Sequence, residues 1–267
     1  MWCPTRSALP RLIFPVLARS GFHGNPLIKT PFLDKLVKEE SSLIERHYTF
    51  KYCSPTRRSF LSGRVPPHSG QVNSASATVD LRMHTIADKL ASAGYTTGMA
   101  GKWHAGHFVM EQTPKGRGFN TSLGYFNGAC DHWTQEDGED GCQKQTGLAT
   151  TDLWNTDRPG FSLNGTYGDL MYVGRAVETI TSHDPSTPLF FYLAMQCAHD
   201  PMEAPQRFLD LYDPETVPNQ VEYAFSSVID EGLSNVTNAL KIKSMWENTL
   251  SDSTRAFADI FAPCLTL

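Results

Sequence analysis

The sequence predicts an α/β domain with a mostly parallel sheet sandwiched by helices. Three observations lead there. The run Pro188 to Ala194 is apolar almost throughout, as a strand buried on both faces is. A second short strand, Tyr95 to Ala100, follows a helical segment, as the first run does. Strands that alternate with helices build parallel sheets, because each crossover lays a helix over the sheet. With 267 residues the chain is long enough to bury one such core.

Each element has its own signal. Leu12 to Ala18 is a short apolar run bracketed by Arg11 and Arg19. It reads either as a buried strand or as a damaged signal segment. It is shorter than a clear signal peptide and lacks a small-residue cleavage site. Thr30 and Pro31 mark a helix start, with Phe32, Leu33, Leu36 and Val37 on one face. A strand-like stretch lies near His47 to Tyr52, and Pro55 suits the first turn of a helix over Cys53 to Arg64. Thr85 and Asp88 have capping-box spacing, and Gly94 suits the stop of that helix. Glu111 to Gly168 reads as loop-rich. Leu170, Val173, Val177 and Ile180 form a helical stripe, and a last amphipathic helix spans about Gln220 to Lys241.

Composition narrows the function. Net charge is -5, which gives a nucleic-acid partner no support. No run of 18 apolar residues predicts a membrane span. The six cysteines show no zinc-type spacing. Cys130 and Cys142 flank an acidic loop and read either as a disulfide or as two free thiols. Cys197 ends an apolar run and reads as a small core residue. Asp131 to Asp140 lacks the ligand alternation of a calcium loop and reads as solvated. His107 lies near His104 with no third ligand and reads as ordinary. Asn120, Asn164 and Asn235 open glycosylation sequons, which lean toward the secretory route.

Three segments with chemistry follow predicted strands. They are Cys53 onward, Lys102 to His104, and Gln196 to Pro201. In an open α/β sheet, residues at the carboxyl ends of strands converge on one edge. The first segment, Cys53-Ser54-Pro55-Thr56-Arg57-Arg58-Ser59-Phe60-Leu61-Ser62-Gly63-Arg64, fits C-x-P-x-R-x-x-x-L-x-G-R at every fixed position. Gly94, Tyr95, Thr97, Gly101, Lys102, Trp103 and His104 fit G-Y-x-T-x-x-x-G-K-W-H. Both are sulfatase signatures, in the right order. The chain therefore resembles formylglycine-dependent sulfatases of the alkaline-phosphatase-like superfamily. The similarity is greatest to the arylsulfatase B group and runs roughly from Leu12 to Trp246. Residues 21–250 read as part of a sulfatase N-terminal catalytic domain. Residues 1–20 read as a degenerate strand or leader, and 251–267 as an unrelated tail.

The resemblance implies sulfate-ester hydrolysis on an aryl sulfate or sulfated glycan. It implies that a formylglycine-generating enzyme oxidises Cys53 to an aldehyde. The hydrated aldehyde supplies one hydroxyl to attack sulfur and a second that lets the bound sulfate leave. Arg57 would compensate charge there, at a helix start that favours an anion. Lys102 would touch both sulfate and the modified residue, His104 would take a proton, and His199 would bind sulfate and protonate the leaving alcohol. The family is lysosomal or extracellular and binds calcium, to which modified Cys53 would contribute one ligand.

The chain also departs from the pattern. Arg19-Ser20 runs directly into Gly21, so the family's Asp pair after its first strand is missing. Ser251 to Leu267 replaces the later strand, the Asp-Asn pair and a second sulfate-binding lysine. A misassembled or spliced version of a longer sulfatase sequence accounts for both. Calcium would have only modified Cys53 as a protein ligand, the sheet would be incomplete with an exposed edge, and the polypeptide alone is expected to be inactive or unstable. A non-catalytic relative that binds sulfated glycans or a protein partner is the alternative. A phosphatase on this fold fits less well, since those relatives use Ser or Thr where this chain has Cys53.

Overall fold

A computed structural model of the chain describes residues 20–44, 50–74, 77–137, 150–161, 163, 165–256 and 262–266. The Leu12–Ala18 run, the first half of the stretch His47 to Tyr52, Cys142 and Asn164 lie outside these. In chain order the helices are α1 (Pro31–Glu39), α2 (Cys53–Ser62), α3 (Pro66–Ser69), α4 (Ile86–Ser92), α5 (Gly168–Ser182), α6 (Gln206–Leu209) and α7 (Gln220–Ile242). The strands are β1 (Thr96–Lys102), β2 (Thr121–Tyr125), β3 (Trp154–Asn155), β4 (Arg158–Pro159), β5 (Leu189–Ala194), β6 (Asp252–Ala256) and β7 (Ala262–Thr266).

The sheet order is β4-β3-β2-β1-β5-β7-β6. Its centre, β2-β1-β5, is parallel, while the strands on both flanks pair antiparallel. β5 explains the sandwich. Its Phe191 and Leu193 pack with α5 and α7 residues such as Ile180, Phe225 and Val228. Phe190, Tyr192 and Ala194 face the other way, toward Leu61 of α2 and Ala87 of α4. Period-2 alternation between two cores makes the whole strand apolar.

The capping box forms at α4: Asp88 N–H donates to Thr85 Oγ1 at 3.0 Å, and Asp88 Oδ2 accepts from Thr85 N–H at 2.7 Å. Thr30 does not cap α1. Its hydroxyl bonds Asp34 instead, and the N–H groups of Phe32 and Leu33 find the Asp230 carboxylate on α7. A tertiary partner has replaced a local one.

Four expectations need correction. Phe50 to Tyr52, the described end of the stretch near His47, is not a strand. The region 111–168 is not merely loop, because Thr121–Tyr125 forms the second parallel strand. Its polar start and Gly124 conceal it from hydrophobic patterning, but β1 supplies a ladder and Tyr125 is fully buried. Asp137 of the acidic loop is buried, and Asp131 accepts the N–H groups of Trp133 and Thr134. Finally, the edge of β5 is covered. β7 pairs with it at Tyr192–Thr266, Leu193–Leu265 and Ala194–Cys264, and β6 pairs with β7. An open strand offers a row of unpaired backbone groups, and this tail hairpin takes them up.

Candidate active site

α2 starts at Cys53, which is 5% exposed. Its first turn is held from outside: Ser54 N–H donates to Asn73 Oδ1 at 3.1 Å, and the Thr56 hydroxyl donates to the Phe50 carbonyl at 2.9 Å. The helix ends at Gly63, whose φ of 65° is the left-handed conformation of a C-terminal cap. The motif glycine is thus a stop signal, and Leu61 anchors the helix in the core.

β1 delivers the next residues. Gly101 has φ 105°, and a Cβ there would run into the Ala194 carbonyl. Only glycine allows β1 to lie this close to the end of β5. The strand ends at Lys102, whose Nζ lies 3.0 Å from Cys53 Sγ. Arg57, one turn into α2, donates from Nη1 to the Lys102 carbonyl at 2.7 Å and reaches the Tyr192 hydroxyl at 3.4 Å. Arg57 and Lys102 are both almost fully buried. Two fixed cations at the start of a helix make a strong local field for an anion.

His104 follows at φ 45°, its N–H donating to the Phe126 carbonyl beyond β2 at 3.2 Å. Its ring lies against Gly128, where a Cβ would come within 2.9 Å of the imidazole. His199 lies beyond the end of β5, with Nδ1 donating to the Asp200 carbonyl at 2.8 Å. The carbonyl acceptor makes Nδ1 the nitrogen that carries a proton. The His199 carbonyl accepts from His132 Nε2 at 3.1 Å.

Beneath His199 is a buried network. Asp169, in the first turn of α5, accepts Gln196 N–H at 2.6 Å, Cys197 N–H at 3.1 Å and the Cys197 thiol at 2.8 Å. Burial raises the Asp169 carboxyl, against the lowering effect of His132 and these hydrogen bonds. Burial also pushes the Cys197 thiol well up, so it stays protonated. Cys197 is a core residue, as expected, and a hydrogen-bond donor as well. Cys130 is a buried free thiol.

The structure thus joins Cys53, Arg57 and Lys102 directly, and places His104 and His199 beyond the ends of β1 and β5. Asn120 is exposed, with Oδ1 accepting from Thr97 N–H. Asn235 is exposed on α7, while Thr237 of its sequon is buried. Sequence patterns missed Tyr192, Asn73, His132 and Asp169. Of these only Asp169 carried a local signal, an acid in the first turn of a helix.

A calcium ion needs six to eight oxygen ligands. Among the described residues, the one group of three metal-capable His, Cys, Asp or Glu side chains is His132, Asp169 and Cys197, not a group around Cys53. That trio offers a thiol, an imidazole and one carboxylate already engaged by N–H and S–H donors. It is not a hard-cation set, and beside Cys53 stands a protein cation, Lys102 Nζ, at 3.0 Å. The described residues do not fit calcium.

The family model that matches this chain is Sulfatase, over residues 16–250. Mouse arylsulfatase J is 35% identical over 253 residues, which is 90% of this chain and 41% of that protein. The chain spans under half the length of the curated relatives it matches. Among solved structures, Ps i-CgsB in complex with k-i-k-neocarrahexaose aligns with TM-score 0.77 at 22% identity, covering 93% of this chain and 62% of that one. BT4656 in complex with its substrate D-glucosamine-2-N,6-O-disulfate aligns with TM-score 0.64 at 14% identity, covering 94% and 68%. These two show the shared fold. Both signature segments lie within the family match, and the chain belongs to the sulfatase family.

Proposed function

We propose that the chain carries the nucleophile side of a sulfuric-ester hydrolase site, acting on a sulfated glycan or aryl sulfate after Cys53 is converted to formylglycine. The contact between Lys102 Nζ and Cys53 Sγ supports this most directly. It sets a buried ammonium against the atom that the modification replaces. The hydrated aldehyde supplies the attacking hydroxyl when present. Lys102 would hold a sulfate oxygen and Arg57 would fix the Lys102 backbone and add positive charge. His104 would accept a proton, and His199 Nε2 would give one to the leaving alcohol. The same reading brings a formylglycine-generating enzyme as partner and the secretory route as the place of synthesis. Among the described residues no helix is long and apolar enough to cross a membrane.

Among the described residues no cation-binding set stands at Cys53, and this bears on turnover. Losing one strong electrostatic donor costs about 2.7–4 kcal/mol of barrier, and losing a metal costs at least as much. The polypeptide alone is therefore expected to hold sulfate without hydrolysing it. Two measurements test this. Mass spectrometry of the Cys53 peptide, after expression with the modifying enzyme, should show the aldehyde or its hydrate. Titration with inorganic sulfate should show binding that Lys102→Ala weakens about tenfold or more, the loss of a charged hydrogen bond. An always unmodified Cys53 refutes the nucleophile, and calcium-dependent turnover of an aryl sulfate that Cys53→Ala abolishes refutes the inactivity.

A further inference from the structure

Past the end of β2 lies a cavity of about 230 Å³ whose walls include His107, Phe126, Asn127, Asp137, Asp152 and Trp154. It is smaller than the roughly 300–1,000 Å³ typical of pockets for drug-sized ligands, so it suits a single ring. Its aromatic wall is ordered. His107 and Phe126 stack at 6.0 Å and Phe126 and Trp154 at 5.1 Å, both within 25° of parallel, and Phe108, outside the cavity, stacks on His107 at 5.1 Å.

Its polar wall is preorganised. The Asp152 carboxylate is fixed by the N–H groups of Phe126 and Asn127 at 2.8–3.1 Å. Asn127 Nδ2 holds Asp137 Oδ2 at 3.1 Å. His107 Nδ1 is buried without a hydrogen-bond partner among the described residues. Burial lowers the His107 pKa, so its ring is neutral at pH 7 and can serve a hydroxyl. The Phe126 carbonyl accepts from His104 N–H at 3.2 Å, so the cavity adjoins the His104 segment of the site.

We infer that this cavity binds an uncharged sugar ring joined to the sulfated residue, and that it rejects a uronate or a second sulfate. A flat aromatic face takes the apolar side of a pyranose. The Asp152 and Asp137 carboxyl groups accept from its hydroxyls. Burial raises the Asp152 carboxyl, opposed by the N–H groups of Phe126 and Asn127, and with no Lys or Arg in the cavity wall an anion there would have no partner. The inference rests on the proposed sulfate site for the position of the neighbouring sugar.

The test uses labelled protein and four ligands. They are a sulfated monosaccharide, that sugar linked to a neutral hexose, that sugar linked to a uronate, and the neutral disaccharide without sulfate. The neutral-linked sulfated disaccharide should bind about tenfold tighter than the monosaccharide, and the uronate-linked one should not. The unsulfated disaccharide should move the His107 and Trp154 resonances. Trp154→Ala should erase the tenfold gain, as should His107→Phe, which keeps the ring stack. Equal affinity for the first two ligands overturns the inference and leaves the sulfate site standing. A tighter uronate-linked ligand overturns the charge rejection. Should no sulfated ligand bind, the Cys53 reading fails, and the unsulfated disaccharide then decides the cavity by itself: resonances that stay still overturn it.

Discussion

The Lys102 ammonium, 3.0 Å from Cys53 Sγ and 1% exposed, has given up its water for a thiol and a protein interior. Burying a cation this deeply is costly, and its place beside Cys53 Sγ puts positive charge at the atom on which the proposed chemistry turns. Sequence showed Cys53, Arg57, Lys102, His104 and His199 because motif residues and short spacings survive in one dimension. Tyr192 was hidden because an aromatic in an apolar strand looks like core, and only the fold carries its hydroxyl to Arg57. His132 and Asp169 were hidden because their partners, His199 and Cys197, lie about 30 to 70 residues away. Gly101 shows the reverse case, where a motif letter states a backbone need. Gly101→Ala should destabilise the fold by about 1–3 kcal/mol, read as a lower urea midpoint, and should displace Lys102 so that sulfate binding falls with it.

At the scale of elements, the capping box of α4 was legible because both halves are three residues apart, whereas the start of α1 was not. Its N–H groups are satisfied by Asp230, about 200 residues away. Burial raises the Asp230 pKa to about 6, opposed by the N–H groups of Leu33 and Phe32. The native state therefore takes up a proton at a higher pH than the unfolded chain does. By linkage, this group's contribution to stability is full below the ordinary carboxylate range and is lost as pH rises toward and through about 6. Asp230→Asn should remove that part of the slope. Urea midpoints measured between pH 4 and pH 7 check it, and an unchanged slope would exclude Asp230 as its source. β2 was missed for a related reason, since a five-residue strand with a glycine needs a neighbour to declare it.

For the whole molecule, the prediction of helices on both faces of a parallel sheet held at the centre, where β5 alternates between two cores. It could not reach the flanks, because register across an antiparallel edge depends on segments with no shared pattern. The tail hairpin is the example: it shares no motif with the family, yet β7 pairs with β5. Deleting residues 251–267 should bare that strand, and light scattering should then report concentration-dependent association. A deletion that stays monomeric at high concentration would mean that the hairpin is dispensable as a cover.

Cys53 opens a packed helix and is 5% exposed. An enzyme that oxidises this thiol, as the proposed function requires, is expected to meet it before the helix packs. Folding and oxidation would then compete for one side chain, and refolded, unmodified protein should be a poorer substrate for that enzyme than the extended peptide.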